Sequence, residues 1–193
     1  MELVQTLDLG CRLAIHDKTW RSFASDNYAG VHPEVLAALQ DANEGHQSAY
    51  GYDQYTKALE EKIRQVFGQQ AETFVVFNGT GANVVALTAM MPRWGAVICS
   101  NLAHIETDEG GAPERVSGLK LFNVKHQGGK LTPESIATQV YDIGFEHRAQ
   151  PMVVSITQSS ELGTVYTPAE VKAIADYCHQ NNLLLHMDGA RLW

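Results

Sequence analysis

Residues 183–191 read LLLHMDGAR, and this stretch decides the fold of the 193-residue chain. Its first five residues are mainly apolar without strict alternation, which is typical of a strand covered on both faces in a parallel sheet. Two charged residues, Asp188 and Arg191, follow where the strand should end. Because ligand sites in α/β sheets form at the carboxyl ends of strands, we expect a functional site at this edge.

Four more apolar runs earlier in the chain predict further strands of the same sheet. They span Thr73–Phe77, Ala96–Cys99, Leu119–Phe122 and Met152–Ile156. Helical patterns separate these runs, so strands alternate with helices and the crossovers should be right-handed. The sequence therefore predicts an α/β fold, a three-layer sandwich with a mainly parallel central sheet.

Proline residues mark where several of the predicted helices begin. A threonine that can cap a helix precedes both Pro133 and Pro168, and Pro33 opens a third apolar pattern at helical spacing. Proline suits the first helical position because the N–H that it lacks would have no partner there. A further amphipathic pattern runs up to Phe67, where Gly68 can end the helix.

The composition excludes several classes of partner. Acidic residues outnumber basic ones by 22 to 14, and the formal net charge is −8. An acidic surface repels phosphate backbones and anionic membranes, so we expect neither nucleic acid nor membrane partners. The N-terminus lacks the pattern of a signal peptide, and no apolar run is long enough to span a bilayer.

The cysteine pattern favours a reducing compartment. Cys11, Cys99 and Cys178 are odd in number and far apart, so they predict neither a disulfide framework nor a Cys-x-x-Cys metal site. No grouping of His, Cys and Asp has the spacing of metal ligands. We expect a cytoplasmic protein that binds no metal at its site.

Residues Asn78–Asn83 form a glycine-rich turn, NGTGAN, between a predicted strand and a predicted helix. Small residues such as Gly79 let a phosphate approach the backbone, and the N–H groups at a helix start attract an anion. Thr80 adds a hydroxyl donor. The spacing matches neither the P-loop nor the dinucleotide-binding fingerprint. Taken alone, the pattern also fits a tight turn without a ligand.

Asp188 is the strongest candidate for chemistry in the chain. A carboxylate at the end of a buried strand must be solvated, paired or bound to a cation. A protonated pyridine nitrogen is such a cation, and this pairing would make pyridoxal 5′-phosphate (PLP) an electron sink. A structural ion pair with Arg191 explains the same motif. His104, after the second predicted strand, could stack on a planar ring or move protons there, or simply lie on the surface.

Together these segments resemble the threonine aldolase and β-eliminating lyase family, which has the aspartate-aminotransferase-like fold of PLP-dependent enzymes. The resemblance runs from about Phe23 to Trp193 and depends on the order of the motifs. The matching segments are SDN at residues 25–27, HPE at 32–34, YG at 50–51, GTGAN at 79–83, His104, SSELGTVY at 159–166 and HMDGAR at 186–191. The resemblance implies that residues 1–22 form an N-terminal extension and residues 23–193 a partial, truncated PLP-binding large domain.

The resemblance also implies a role for each matched residue of the cofactor site. Gly79 and Thr80 would hold the cofactor phosphate. His104 would stack on the pyridine ring and help to handle the substrate hydroxyl. Asp188 would pair with the pyridine nitrogen, and Arg191 would contact the ring oxygen. Of these residues, we expect His104, Asp188 and Arg191 to be catalytic.

The resemblance also implies a substrate contact, a subunit contact and the position of the lysine that binds the cofactor. Ser25 would help to hold the substrate carboxylate, and Tyr50 would contribute across a subunit interface. In the family, the lysine that binds PLP as a Schiff base lies a few tens of residues beyond the DGAR motif, whereas this sequence ends at Trp193. We therefore expect an N-terminal portion that is inactive on its own and lacks the small C-terminal domain.

The function that the resemblance implies for the full-length parent is aldol cleavage of a β-hydroxy-α-amino acid. Threonine or allo-threonine would yield glycine and acetaldehyde, with PLP as the cofactor. Two alternatives remain open: another PLP-dependent lyase reaction, such as β-elimination or aryl-serine cleavage, and an inactive fragment that only packs against a partner. The expected partners are a small amino acid substrate and further copies in a homo-oligomer, either a dimer or a tetramer.

Overall fold

The structure is a computed structural model that describes residues 16–192. Cys11, Trp193 and most of the predicted N-terminal extension lie outside the described residues. The chain divides between Thr73 and Phe74 into two compact units. Among residues 16–192, no helix is long and apolar enough to cross a membrane.

The regular elements in the described part of the first unit are all helices. It contains a short 3-10 helix, Asp26–Tyr28, followed by α1 (Pro33–Ala42) and α2 (Gln54–Phe67). Asp53 caps α2 by accepting a hydrogen bond from the Thr56 backbone N–H at 2.8 Å. Gly68 ends α2 with φ at 100°, a backbone conformation that favours glycine. The two helices predicted for this part of the sequence are confirmed.

The second unit contains a four-stranded parallel sheet. Its strands are β1 (Gly95–Ser100), β2 (Lys120–Val124), β3 (Gln150–Thr157) and β4 (Leu184–Asp188), in the spatial order β2-β1-β3-β4. Every pairing in this sheet is parallel. Four of the five predicted strands are therefore confirmed, and so is the α/β class.

Five helices accompany this sheet in the described part of the second unit. They are α3 (Gly79–Met90), α4 (His104–Thr107), α5 (Ala112–Ser117), α6 (Pro133–Ala137) and α7 (Pro168–Gln180). The predicted threonine caps are present at α6 and α7. At α7, Thr167 Oγ1 accepts from the Glu170 N–H, and the Glu170 carboxylate accepts from the Thr167 N–H. This reciprocal capping box satisfies two backbone donors that the helix itself cannot pair.

The core is divided into two clusters by the sheet. Neighbouring residues of a strand point to opposite faces, so Val97 and Ile98 of β1 belong to different clusters. Ile98 packs with residues of α6 and α7, including Ile174, whereas Val97 packs with Leu87 of α3. Helices therefore cover both faces of the sheet, which confirms the predicted three-layer sandwich.

The prediction of a strand at Thr73–Phe77 was wrong. The segment has no strand pairing in the structure, and Phe74, Val75 and Phe77 are exposed, Phe77 almost completely at 98%. The residue types do favour strand conformation, but a strand also needs a neighbour that pairs with its backbone. None of the described strands pairs with this segment.

Candidate active site

The carboxyl ends of the parallel strands bring polar segments of the chain to one edge of the sheet. α4 begins at His104, shortly after β1 ends at Ser100. β4 ends at Asp188, which lies opposite Thr157 of β3. The backbone N–H of Gln158 donates to the carbonyl oxygen of Asp188 at 2.9 Å. This edge therefore carries both His104 and Asp188.

The start of α3 has backbone donors that the helix does not use. The side chain of Asn78 accepts from the Gly81 N–H at 2.8 Å, and the Asn78 carbonyl accepts from the Ala82 N–H at 2.9 Å. The preceding N–H groups, those of Gly79 and Thr80, have no acceptor within the helix. The position where a Gly79 side chain would lie is open, with no atom within 4 Å. An anionic group can approach the helix here.

Asn83, in the first half of α3, connects two acidic side chains. It is buried, with 5% of its surface exposed. Its side-chain nitrogen Nδ2 donates to Glu109 Oε1 at 2.7 Å and to Asp188 Oδ2 at 3.1 Å. Because Nδ2 carries two hydrogens, one amide group can satisfy both contacts. The two carboxyl groups are thereby held close together.

Glu109 also contacts His104. Glu109 Oε1 lies 2.9 Å from His104 Nδ1, and the Glu109 side chain is completely buried while that of His104 is 37% exposed. Partial burial by itself lowers the pKa of His104. The hydrogen bond to Glu109 and the nearby negative charges outweigh that effect, so the pKa of His104 is raised above its ordinary value.

One oxygen of Glu109 has no partner in the described part of the chain. Glu109 Oε2 is buried and accepts no hydrogen bond within residues 16–192. Asp188 is half-buried, and its second oxygen, Oδ1, accepts from the Ala190 N–H at 3.1 Å. A buried carboxyl oxygen without a donor is costly, which makes this cluster suited to a further donor or a cation.

Arg191 contacts the loop that follows β3. Its Nη1 lies 3.7 Å from Glu161 Oε1, a distance that fits an ion pair rather than a hydrogen bond. The sequence left open whether Arg191 would pair with Asp188 or bind an anion. In the structure, Glu161 is an acidic partner of Arg191, and 42% of the arginine side chain remains exposed.

His186 lies beside the site but is paired differently from His104. It is buried in β4, and its Nδ1 lies 2.9 Å from the Ser155 hydroxyl. Burial lowers the pKa of His186, and the nearby charges of Asp188 and Glu109 offset this only in part. Burial therefore favours the neutral form of His186.

Ser25 and Tyr50 belong to the first unit. Ser25 Oγ accepts from the Asn27 N–H at 3.2 Å and so caps the short 3-10 helix. It also lines a cavity of about 580 Å³ together with Trp20, Arg21 and Tyr28. Tyr50 is almost completely exposed at 97%. The substrate contact of Ser25 and the interface contact of Tyr50 stay predictions.

Sequence reasoning did not find the role of two central residues. Asn83 was part of the glycine-rich turn motif but received no function, and Glu109 was not singled out at all. Glu109 lies close in sequence to two other acidic residues, Glu106 and Asp108, and such a cluster is typical of a solvent-exposed surface. Its position was the only signal in the sequence. Glu109 precedes two glycines on the segment between two predicted strands, and a carboxyl group there can point toward the protein interior.

The chain matches the family model described as beta-eliminating lyase over residues 22–193. It is 50% identical over 172 residues to the low specificity L-threonine aldolase of Pseudomonas aeruginosa, and 49% identical over 172 residues to that of another Pseudomonas species. Each alignment covers 89% of this chain and 50% of the relative. The chain thus spans about half the length of the relatives it matches.

A solved structure of Leishmania major threonine aldolase is similar in fold. Its TM-score is 0.81 with 32% sequence identity, over 85% of this chain and 48% of that protein. The match extends the similarity seen in sequence to the three-dimensional arrangement of the strands and helices.

Proposed function

Because the chain belongs to the β-eliminating lyase family, we propose that the whole protein cleaves a β-hydroxy-α-amino acid to glycine and an aldehyde. Threonine or allo-threonine is the proposed substrate, which gives acetaldehyde. One observation carries the proposal: Asp188, at the carboxyl end of β4, is joined through Asn83 and Glu109 to His104. A fixed carboxyl group and a histidine that can exchange a proton then lie at one edge of the sheet.

The proposed cofactor is PLP, and the described residues fit it. Two carboxyl groups, those of Asp188 and Glu109, share a single amide donor, and Glu109 Oε2 has no partner among residues 16–192. Such a cluster suits a cationic ring nitrogen. When bound, PLP supplies an electron sink for the charge that develops as a bond to the α-carbon breaks.

Several residues of the chain would hold this cofactor. We assign Asp188 to the pyridine nitrogen and the backbone N–H groups of Gly79 and Thr80 to the phosphate. His104 is assigned to the face of the ring, and Arg191 to the ring oxygen. The free donors at the start of α3 and the partial exposure of His104 support these assignments.

The reaction needs a group that takes the proton of the β-hydroxyl. We assign this step to His104 through Nε2, because Nδ1 is engaged with Glu109. His186 is less suited because it is buried and bonded to Ser155. Ser25 is assigned to the substrate carboxylate on the family resemblance.

A second candidate function is β-elimination, which the description of the matched family favours. The two reactions give different products from a hydroxylated amino acid: glycine and an aldehyde from aldol cleavage, pyruvate or a related keto acid and ammonia from elimination. The test incubates the full-length protein and PLP with threonine, allo-threonine, phenylserine and serine. Glycine with acetaldehyde supports the proposal. Release of ammonia without glycine overturns it in favour of the second candidate.

We also propose that residues 23–193 form part of a PLP-binding large domain, and that the whole protein is a cytoplasmic homo-oligomer, a dimer or a tetramer. Apolar side chains of α1 support an oligomer because they are left exposed, among them Leu36 at 55% and Leu39 at 60%. No residue in the described part of the first unit is buried. Light scattering of the full-length protein tests the assembly, and a monomer would contradict it.

A further inference from the structure

The contact between Glu109 and His104 determines which ring nitrogen carries a proton. Glu109 Oε1 already accepts a hydrogen bond from Asn83 Nδ2 at 2.7 Å, so this oxygen acts as an acceptor. An ionised carboxylate has no hydrogen to donate, so with Glu109 charged, His104 Nδ1, at 2.9 Å from the same oxygen, is the donor. A neutral imidazole has one N–H only. With the proton on Nδ1, Nε2 is left with a lone pair.

The surroundings of Glu109 show that its position is held from several sides. Its side chain is completely buried, and a carboxyl group is rarely buried without a specific partner. Asn83 holds Oε1 from α3, and the same amide group holds Asp188 at the end of β4. The remaining oxygen, Oε2, is buried without a donor among the described residues. A purely structural carboxyl group would have both oxygens satisfied.

We propose that Glu109 is a positioning residue, whose buried carboxyl group keeps the proton of neutral His104 on Nδ1 and so makes Nε2 the atom that accepts a proton. Asn83 completes this unit by fixing Glu109 relative to Asp188. The inference rests on the proposed function in one respect only: the group that gives its proton to Nε2 is the β-hydroxyl of the proposed substrate. The orientation and tautomer of His104 follow from the contacts of the chain itself.

Other charged groups also act on His104, and they have to be separated from Glu109. Asp108 and Glu161 contribute negative charge near the ring, and both act in the same direction as Glu109. Glu109 differs from them because it is the acidic residue hydrogen-bonded to the imidazole. Its replacement should therefore change both the pKa and the protonation pattern of the ring more than the replacement of either of the other two.

The test uses nitrogen-15 NMR of histidine-labelled full-length protein without cofactor, with the His104 signals assigned by the loss of signal in His104→Asn. Nitrogen-15 shifts distinguish the two neutral tautomers, so wild type tests the proposal without any change at Glu109. We expect neutral His104 in wild type to carry its proton on Nδ1. The opposite tautomer in wild type would overturn the proposal.

The matched variants are Glu109→Gln and Glu114→Gln. Glu114 is an exposed carboxylate on α5, so its replacement controls for the loss of one negative charge. We expect E109Q to lower the pKa of His104 and E114Q to leave it unchanged. Equal pKa values in wild type and E109Q would overturn the proposal.

Turnover gives an independent readout. In the cofactor-loaded protein, E109Q should lower kcat/KM roughly 10- to 100-fold, as expected when the partner that orients a functional histidine is lost. It should also move the acid limb of the pH profile to lower pH, because His104 stays neutral there. If the protein does not cleave threonine but His104 has the expected tautomer and response, the proposed function fails and this inference stands. If it cleaves threonine while E109Q leaves the profile unchanged, this inference alone fails.

Discussion

Asn83 Nδ2 lies 3.1 Å from Asp188 Oδ2, although 105 positions separate the two residues in the sequence. The contact joins the first half of α3 to the carboxyl end of β4. The same nitrogen lies 2.7 Å from Glu109, so three separate segments meet at one buried amide. The site is therefore assembled by the packing of α3 against the sheet and not by any one loop.

Replacement of Asn83 by alanine should destabilise the second unit. It removes a donor from two acidic side chains, and the cost of leaving a buried polar group unsatisfied is about 1–3 kcal/mol in the free energy of unfolding. Urea denaturation measures this cost. Asn101→Ala, at an exposed asparagine, is the matched control and should have little effect. Equal stability of N83A and wild type would contradict the bridging role.

The raised pKa of His104 predicts a pH-dependent contribution to stability. A group whose folded pKa lies above its unfolded value of 6.5 stabilises the fold at low pH, and this contribution is lost as the pH rises through the folded pKa. The difference in unfolding free energy between wild type and His104→Asn should thus be larger at about pH 5.5 than at about pH 8.5. A difference that is constant over this range would show that Glu109 does not stabilise the protonated imidazole.

The capping box of α7 should contribute measurably to stability. Thr167→Ala removes the side-chain acceptor of the Glu170 N–H and should cost about 1 kcal/mol in the free energy of unfolding. Thr167→Ser keeps the hydroxyl and should retain most of the stability. The prediction fails if the alanine and serine variants unfold at the same urea concentration.

The core cluster between β1, α6 and α7 should be sensitive to lost volume. Ile98 is completely buried in β1, and Ile98→Ala should lower the free energy of unfolding by about 2–5 kcal/mol because a cavity remains. Ile143→Ala removes the same atoms from a side chain that is 62% exposed and should have a much smaller effect. Similar losses in both variants would place Ile98 outside a packed core.

Local patterns in the sequence were enough to predict most of the sheet. Each of β1 to β4 contains a short, mainly apolar run of the sequence, which is the signal that predicted it. Burial follows residue type fully in β1 but not in β4, where Leu184 is 48% exposed and His186 is buried. Thr73–Phe77 has the same residue types but is unpaired in the structure, and residues 74–77 are exposed. Whether such a run pairs depends on a neighbouring strand, and that information is not present in the run itself.

The candidate site was predictable only in part. Asp188 and His104 could be assigned to one edge of the sheet because each lies within a few residues of the end of a predicted strand, and parallel strands end at a common edge. The contacts of Glu109 could not be found in this way. Glutamate is usually exposed, and the partner of Glu109 on α3 lies 26 positions away. Likewise, the pairing of Arg191 with Glu161 depends on how two loops pack.

The most direct test of the proposed function is the turnover of threonine by the full-length Asp188→Asn variant. We predict that cleavage to glycine and acetaldehyde falls by at least about 100-fold, while the thermal unfolding midpoint stays close to that of wild type. Asp176→Asn, at an exposed aspartate of α7, is the control and should retain full activity. Turnover by folded D188N at the wild-type rate would contradict the assignment of this site.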